Sequence, residues 1–412
     1  MNITRCISDF GNSMSQHLID GNYFEMPSSI TEISEKKASS LFTDSVDMEQ
    51  LKEQLVIKIN LDGKDRYFKV GRKAETDIFG NEHIFKLHDK TESLTVIVTW
   101  LAALAFYHVN QSISDPEQSI ESELNQDVYL IDIEYFLTML PIWLIKKSDN
   151  FGDMLKKMEQ RFEKNHEVEL ITPNYQRVLN ITVKKAVCRV EGETSRYALK
   201  FDLQLAPKNI SKFDMSHSVI CDWGAQTLDL TKLQPRLRKP ADTDDFASFT
   251  DKSYLKSLED LRTTKLMDYF GDVRTLERFI LENIKFGIFE YEDPTTKKKT
   301  DFTSIIENAL QELASIIVIK ALNTFHFSHG QTVYYIWTGG VSEILKKYIE
   351  QVLVQALNKD IASNYHIFPD ESRKLNIFGG EIYAKSQLAK MGLIEKTTVP
   401  TTEVGEVNDN QE

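Results

Sequence analysis

The chain has 412 residues, of which 41% are hydrophobic and 27% charged, and 49 Lys plus Arg stand against 62 Asp plus Glu for a formal charge of -13. At roughly 150 residues per domain that is about two to three folding units, and the near-average composition excludes a wholly disordered, collagen-like or fibrous chain and a peptide-sized binding module. An acidic surface of this size repels phosphate backbones, which excludes direct, non-specific nucleic-acid binding.

The three cysteines, Cys6, Cys188 and Cys221, have no CxxC or ligand-like spacing. That pattern argues against a structural zinc site and a disulfide framework, and a reducing cytoplasm fits it. The opening MNITRCISDFG has no apolar run behind a basic start, and the apolar stretch Leu94 to Val109 is interrupted by Thr, Tyr and His. A spanning helix needs about 20 clearly apolar residues, so neither a signal peptide nor a membrane segment is expected.

In chain order, short extended stretches surround turns at Asp9-Phe10-Gly11-Asn12-Ser13 and Asp20-Gly21-Asn22. VIKINLDGKDRYFKV alternates about Asp62-Gly63 and predicts a hairpin. Thr91 to Val109 reads as a buried helix, and the Ser-, Glu- and Gln-rich 110–126 as an exposed loop insertion. A strand ends near Leu140-Pro141, a helix is predicted over Asp149 to Asn165, and strands over Glu167 to Ile171 and Val178 to Val187. A short helix from Glu191 to about Leu203 precedes a core strand, Ser218 to Asp222.

Helices are predicted over Ser253 to Phe270, Asp272 to Ile284 and, most clearly, Asp301 to Asn323. The strand Val333 to Trp337 runs through Thr338-Gly339-Gly340 into a helix over Ser342 to Leu357. The acidic, aperiodic 396–412 reads as a disordered tail. Strands alternate with helices in both halves, which implies an α/β fold of two related domains. The expected division is 1–190, with a smaller subdomain around 30–90, and 191–390.

An acid at a strand end, a Gly turn and a second strand occur twice, as Asp9-x-Gly11-Asn12-Ser13 and Asp222-x-Gly224-x-x-Thr227-x-Asp229. Such turns expose backbone N-H groups in a concave nest suited to phosphate oxygens. Two facing each other would clasp a polyphosphate. An Asp beside phosphate is repelled from it, and its natural task is to hold water on a bound Mg²⁺. Either motif alone also reads as an ordinary tight turn; their pairing with the distant Thr338-Gly339-Gly340 favours a nucleotide site.

In this order the three elements resemble the phosphate-1, phosphate-2 and adenosine motifs of the actin, sugar-kinase and heat-shock ATPase superfamily. SDFGNSMSQHLIDGNYFEMP, YFLTMLPIWLIKK, CDWGAQTLDL and IWTGGVSEIL most resemble the plasmid-segregating bacterial actins of the ParM type and their Gram-positive relatives, over most of residues 1 to about 390. The resemblance implies an actin-like ATPase fold of two α/β domains, each on a five-stranded sheet, with ATP and Mg²⁺ in the cleft between them. It also implies nucleotide-dependent filaments of the protein with itself that segregate plasmid DNA through a ParR-like adaptor on a centromere-like site. The adaptor would touch the DNA, which accommodates the acidic charge.

By the same resemblance, Asp9 and Asp222 hold Mg²⁺ waters, and Gly11, Asn12, Ser13 and Met14 face Gly224, Ala225, Gln226 and Thr227 across the phosphates. Gly339 and Gly340 match the adenosine motif. Glu191, with Tyr197 at the corresponding spacing, matches the short helix that carries the water-orienting residue, where a carboxylate takes a proton from the attacking water; it also reads as a helix-start acid. Lys285 resembles a helix-end lysine that contacts ribose or adenine, and equally a solvated surface lysine.

The pattern is not followed throughout. Gln16 stands where many actins have a phosphate-binding lysine, so either another cation substitutes or phosphate affinity is lower. Trp223 and Ala225-Gln226 make the second turn bulkier, with Gln226 placed for nucleotide or water. No HExxH, GxSxG or GxxxxGK[ST] pattern appears, which leaves a metallohydrolase, serine hydrolase or P-loop NTPase without support. The competing readings are a small-molecule kinase, whose acidic base and sugar-pocket signature the first half does not show, and a non-polymerising actin-superfamily ATPase.

Overall fold

The computed structural model describes residues 1–42, 44–77, 81–83, 89–114, 128–148 and 150–395. The expected tail at 396–412 and most of the expected insertion, 115–126, lie outside the described residues.

The first sheet opens as a meander of β1 (Asn2–Phe10), β2 (Met14–Ile19) and β3 (Asn22–Pro27). It continues with β4 (Ser29–Ile33), β5 (Val56–Leu61), β6 (Lys64–Val70) and β7 (Asn81–His83), then β8 (Val128–Leu140), β9 (Asn165–Leu170), β10 (Arg177–Val183) and β11 (Ala186–Val190). The order is β3-β2-β1-β8-β10-β9-β5-β6-β4-β7, with β11 also on β8. β8 has 13 residues, long enough to pair with β10 along Val128–Ile133 and with β11 along Phe136–Leu140. The turns Asp20-Gly21 (φ 45° and 88°) and Asp62-Gly63 (φ 53° and 76°) have positive φ at both central residues, the conformation whose twist matches a two-residue hairpin.

The second sheet has five strands in the order β14-β13-β12-β17-β18. These are β12 (His217–Trp223), β13 (Leu228–Leu233), β14 (Phe246–Phe249), β17 (Val333–Thr338) and β18 (His366–Ile367); β15 (Glu290–Glu292) and β16 (Lys299–Asp301) form a separate hairpin. In both sheets an antiparallel meander is followed by a parallel strand beside its first member: β3-β2-β1 and then β8, β14-β13-β12 and then β17. The register repeats too, since Asp9 faces Gln16 and Asp222 faces Asp229. The first sheet reaches 11 strands because β5 pairs with the edge of β9 and brings β6, β4 and β7 with it.

Helix Leu94–Ser114 buries Val96, Trp100, Leu104 and Val109 in the first core. Residues 110–114, expected in a loop, belong to this helix. Among the described residues it alone is long and apolar enough to cross a membrane, and 78% of that stretch is buried inside the protein. Helix Thr303–Thr324 buries Ile306, Leu310, Leu313 and Ile317 in the second core. The cysteines are buried and unpaired.

Three helices differ from the pattern in the sequence, two of them with a local cause. Gly192 at φ 78° prevents a helix from starting at Glu191, so the helix there is Ser195–Lys200. The segment after Ser253 is α-helical over Tyr254–Leu261 and a π-turn over Arg262–Leu266. There Thr263 and Thr264 donate their hydroxyls to the carbonyls of Glu259 and Asp260 at 2.8 and 2.6 Å, back-bonding that loosens a helix. The helix after Gly339 breaks at Leu345 into Gly340–Ile344 and Lys346–Leu357.

Helix Leu375–Met391 follows the second sheet in sequence but packs on the first. A Cβ on Gly379 would lie 2.0 Å from the Thr194 carbonyl oxygen, and one on Gly380 would lie 3.0 Å from Ile7 and Leu137 side-chain carbons. Its Ile377, Ile382 and Ala384 share a core with Ile7, Leu137 and Tyr197.

Candidate functional site

A cavity of about 440 Å³ opens where the hairpins of the two sheets meet, a size in the range of small-molecule and cofactor pockets. Asp9, Gly11, Asn12, Ser13, Met14, Glu191, Asp222, Gly224, Ala225, Thr227, Gly339 and Gly340 all line it. Gln226 is in the same turn without lining the cavity. Lys285 does not reach it: exposed beyond the end of helix Val273–Asn283, its ammonium lies 4.9 Å from the centre of the Phe286 ring. Glu277 and Leu281 of that helix line the cavity instead. Tyr197 is buried against Tyr383, away from the cavity.

Each turn is shaped from behind. In the first, Ser28 donates its hydroxyl to the Gly11 carbonyl at 2.7 Å and its N-H to the Ser13 carbonyl at 3.0 Å. A Cβ on Gly11 would meet the Met14 carbonyl at 2.5 Å. In the second, Gly224 N-H donates to the Thr227 carbonyl at 2.9 Å, and Leu255 N-H to the Ala225 carbonyl at 3.0 Å. At Gly339, φ is 87°, and a Cβ would lie 2.5 Å from Asp222 Oδ1 and 2.6 Å from the Trp223 carbonyl oxygen, so this approach of backbone to acid requires glycine.

Four of the carboxylates that line the cavity, Asp9, Glu191, Asp222 and Asp229, act on one another. Burial pushes Asp9 up to about 7, with Glu191 and Asp222 adding to the shift and Lys90 opposing it. Asp222 is raised to about 6 by burial and by Glu191, against the hydrogen bond from Asn376. Asp229 is raised to about 8, by burial first and then by Glu191 and Asp222, although Ser248 donates to it. Its Oδ2 accepts the Ile142 N-H at 3.4 Å, a link from the second sheet to the segment that leaves the first. Lys90 Nζ lies 2.8 Å from Glu191 Oε1.

Asn376 ties three elements together. It donates to Asp222 Oδ2 at 2.6 Å and accepts from Gly192 N-H at 2.9 Å and Ser195 Oγ at 2.7 Å. Across the cleft, Arg274 donates to Ser13 Oγ at 2.7 Å, Arg373 pairs with Glu25 at 2.6 Å, and Gln16 Nε2 donates to the Arg373 carbonyl at 3.3 Å. Lys90, Arg274, Arg373 and Asn376 escape a reading of the sequence, because none lies in a turn motif and each reaches the site from a distant segment. Among the described residues, Lys90 and Arg373 are the cationic side chains that line the cavity where Gln16 supplies no charge.

The residues present fit a nucleotide with a hydrated cation. Two glycine turns present backbone to one cavity, and Gly339 brings the backbone of the third motif directly against Asp222. Thr338 Oγ1 and Ser342 Oγ are buried nearby and have no hydrogen-bond partner among the described residues. Among the described residues, no three His, Cys, Asp or Glu side chains form a metal cage.

The chain superposes on the crystal structure of the actin-like protein Alp7A with a TM-score of 0.83 and 38% identity, covering 95% of this chain and 98% of that one. Its fold is also that of Bacillus thuringiensis ParM with ADP (TM-score 0.61, 14% identity, 94% and 99% covered) and of a 15-stranded ParM filament from Clostridium botulinum (0.64, 16%, 93% and 99%). No curated protein matches the chain. The family model of the Alp7A C-terminal domain matches residues 217–372, the stretch that holds the second turn and Gly339-Gly340. With 38% identity sustained over nearly the full length of both proteins, the chain belongs to the Alp7A family of ParM-type bacterial actin-like proteins.

Proposed function

We propose that this protein is an ATPase that assembles with itself into filaments on binding ATP and Mg²⁺, disassembles after slow hydrolysis, and so segregates plasmid DNA in the cytoplasm. The observation that carries the reading is the convergence of three sequence-distant motifs and Glu191 on one cavity. When bound, ATP and Mg²⁺ supply the phosphoryl group and the charge that neutralises it. The amides of residues 11–14 and 224–227 clasp phosphate oxygens, Asp9 and Asp222 hold cation-bound water, and Glu191 orients the attacking water and takes its proton.

The lobes, taken as 1–190 and 191–390 but with the helices Ser195–Lys200 and Leu375–Met391 packed on the first, close on the triphosphate into the form that docks with a second copy, and loss of the terminal phosphate releases them. A ParR-like adaptor carries the DNA contact, since a net charge of -13 opposes a direct one. The family relation, the ADP bound by the Bacillus thuringiensis protein and the filament of the Clostridium botulinum protein support this reading.

Right-angle light scattering with Mg²⁺ and ATP, followed by phosphate release on the same sample, tests it. A scattering rise that requires nucleotide and decays as phosphate appears is expected. Bound nucleotide with no rise over a wide concentration range removes the filament from the reading.

A further inference from the structure

Lys90 is a buried cation with no place in either turn motif. Its side chain is 6% exposed, lines the same cavity as Asp9, the first turn and Asp222, and meets Glu191 Oε1 at 2.8 Å. Burial favours a neutral amine, yet Glu191 and Asp9 outweigh it and hold the lysine protonated. An ammonium among four carboxylates is compensated as the cavity stands; its location beside the proposed water-orienting group is what gives it a use.

The segment that carries it is built to hold it. Arg161, on helix Phe151–Phe162, donates to the Lys90 carbonyl at 2.8 Å and to the Ser93 carbonyl at 2.5 Å. Asp89 Oδ1 accepts the Thr91 N-H at 2.8 Å, and Asp89 O accepts the N-H groups of Glu92 and Ser93 at 3.1 and 3.0 Å. Lys157 pairs with Glu92 at 2.6 Å. The backbone is thus fastened from outside while the side chain extends inward. The other cation that lines the cavity among the described residues, Arg373, is the more exposed of the two and is held by Glu25 on β3.

We propose that Lys90 is the catalytic cation of the site: its ammonium contacts the terminal phosphate of a nucleoside triphosphate and the attacking water held by Glu191, taking over the charge that Gln16 lacks. This rests on the ATPase reading above. In the hydrolysis the bond from water oxygen to the terminal phosphorus forms as the bond to the bridging oxygen breaks, and the electron pair stays with the diphosphate. The water proton passes to Glu191 and on to the phosphate product, while Lys90 keeps its own proton throughout and meets the charge that builds on the transferring group.

Calorimetric titration with Mg²⁺ and either ADP or a non-hydrolysable ATP analogue separates this role from a structural one. In Lys90→Met, affinity for the analogue falls roughly tenfold or more, the loss of a charge-assisted hydrogen bond, while ADP affinity stays within about twofold. Single-turnover phosphate release falls roughly 100-fold. Lys90→Arg keeps the charge at a different reach, and is expected to retain the preference for the analogue with slower release; it serves also if Lys90→Met does not fold. Equal losses for both nucleotides, or none, overturn the proposal, as does phosphate release within about threefold of wild type in a folded Lys90→Met. If the unaltered protein binds and hydrolyses ATP while Lys90→Met behaves like it, this inference alone fails. If the unaltered protein binds no nucleotide, the ATPase reading fails and takes this one with it.

Discussion

At Gly339 a single missing methyl group governs the meeting of two strands. The left-handed backbone and the 2.5 Å approach to Asp222 Oδ1 are both closed to an L side chain. Gly339→Ala is therefore expected to destabilise the protein by about 1–3 kcal/mol and to weaken nucleotide binding by displacing Asp222, as calorimetric melting and nucleotide titration would show. Glu191 makes a different kind of prediction. Glu191→Gln keeps the shape and removes the proton acceptor, so phosphate release should fall about 10²–10⁴-fold with nucleotide affinity nearly kept; release at the wild-type rate would strike Glu191 from the proposed mechanism.

Among the elements, helix Leu375–Met391 shows why local sequence signals reach only part of the site. The hairpins at Asp20-Gly21 and Asp62-Gly63 were legible because a two-residue turn carries its own geometry. The same holds for the acid-glycine turns and for Thr338-Gly339-Gly340, whose order along the chain announces the cavity. Gly379 and Gly380 read as ordinary helix glycines, since their reason lies in Thr194, Ile7 and Leu137, far away in the chain. Asn376 and Lys90 are invisible for the same cause, and Lys285 misleads because its helix turns Glu277 and Leu281 inward and ends before the lysine.

The tight seat of this helix yields a test. Gly379→Leu forces it off Ser195–Lys200 and is expected to cost at least about 1–3 kcal/mol by overpacking, read as a lower denaturation midpoint. Because Asn376 moves with the helix, nucleotide affinity should fall along with stability.

Taken as a whole, the molecule stores opposing charge at the junction of its lobes. With Asp222 raised to about 6, Asp9 to about 7 and Asp229 to about 8, against about 3.9 for an unfolded Asp, the native state binds more protons than the unfolded chain between those values. The stabilising contribution of protonation is complete below about pH 4 and is lost as pH rises through about 6 to 8. From these three groups, the urea midpoint of nucleotide-free, cation-free protein is expected to fall between about pH 5.5 and 8.5, and Asp229→Asn should flatten its upper part. A midpoint that rises over that window, with no flattening in the variant, would contradict the burial of these acids.

The return of Leu375–Met391 to the first sheet also sets a timetable for the newborn chain. Ile7 is made long before Gly380, the glycine that covers it, and Asp222 long before its partner Asn376. At about 5–20 residues per second, β1 waits on the order of tens of seconds on the ribosome with that face bare. The cleft is finished only once residues 375–391 have emerged, since Asn376 is what fastens Asp222 to Gly192 and Ser195.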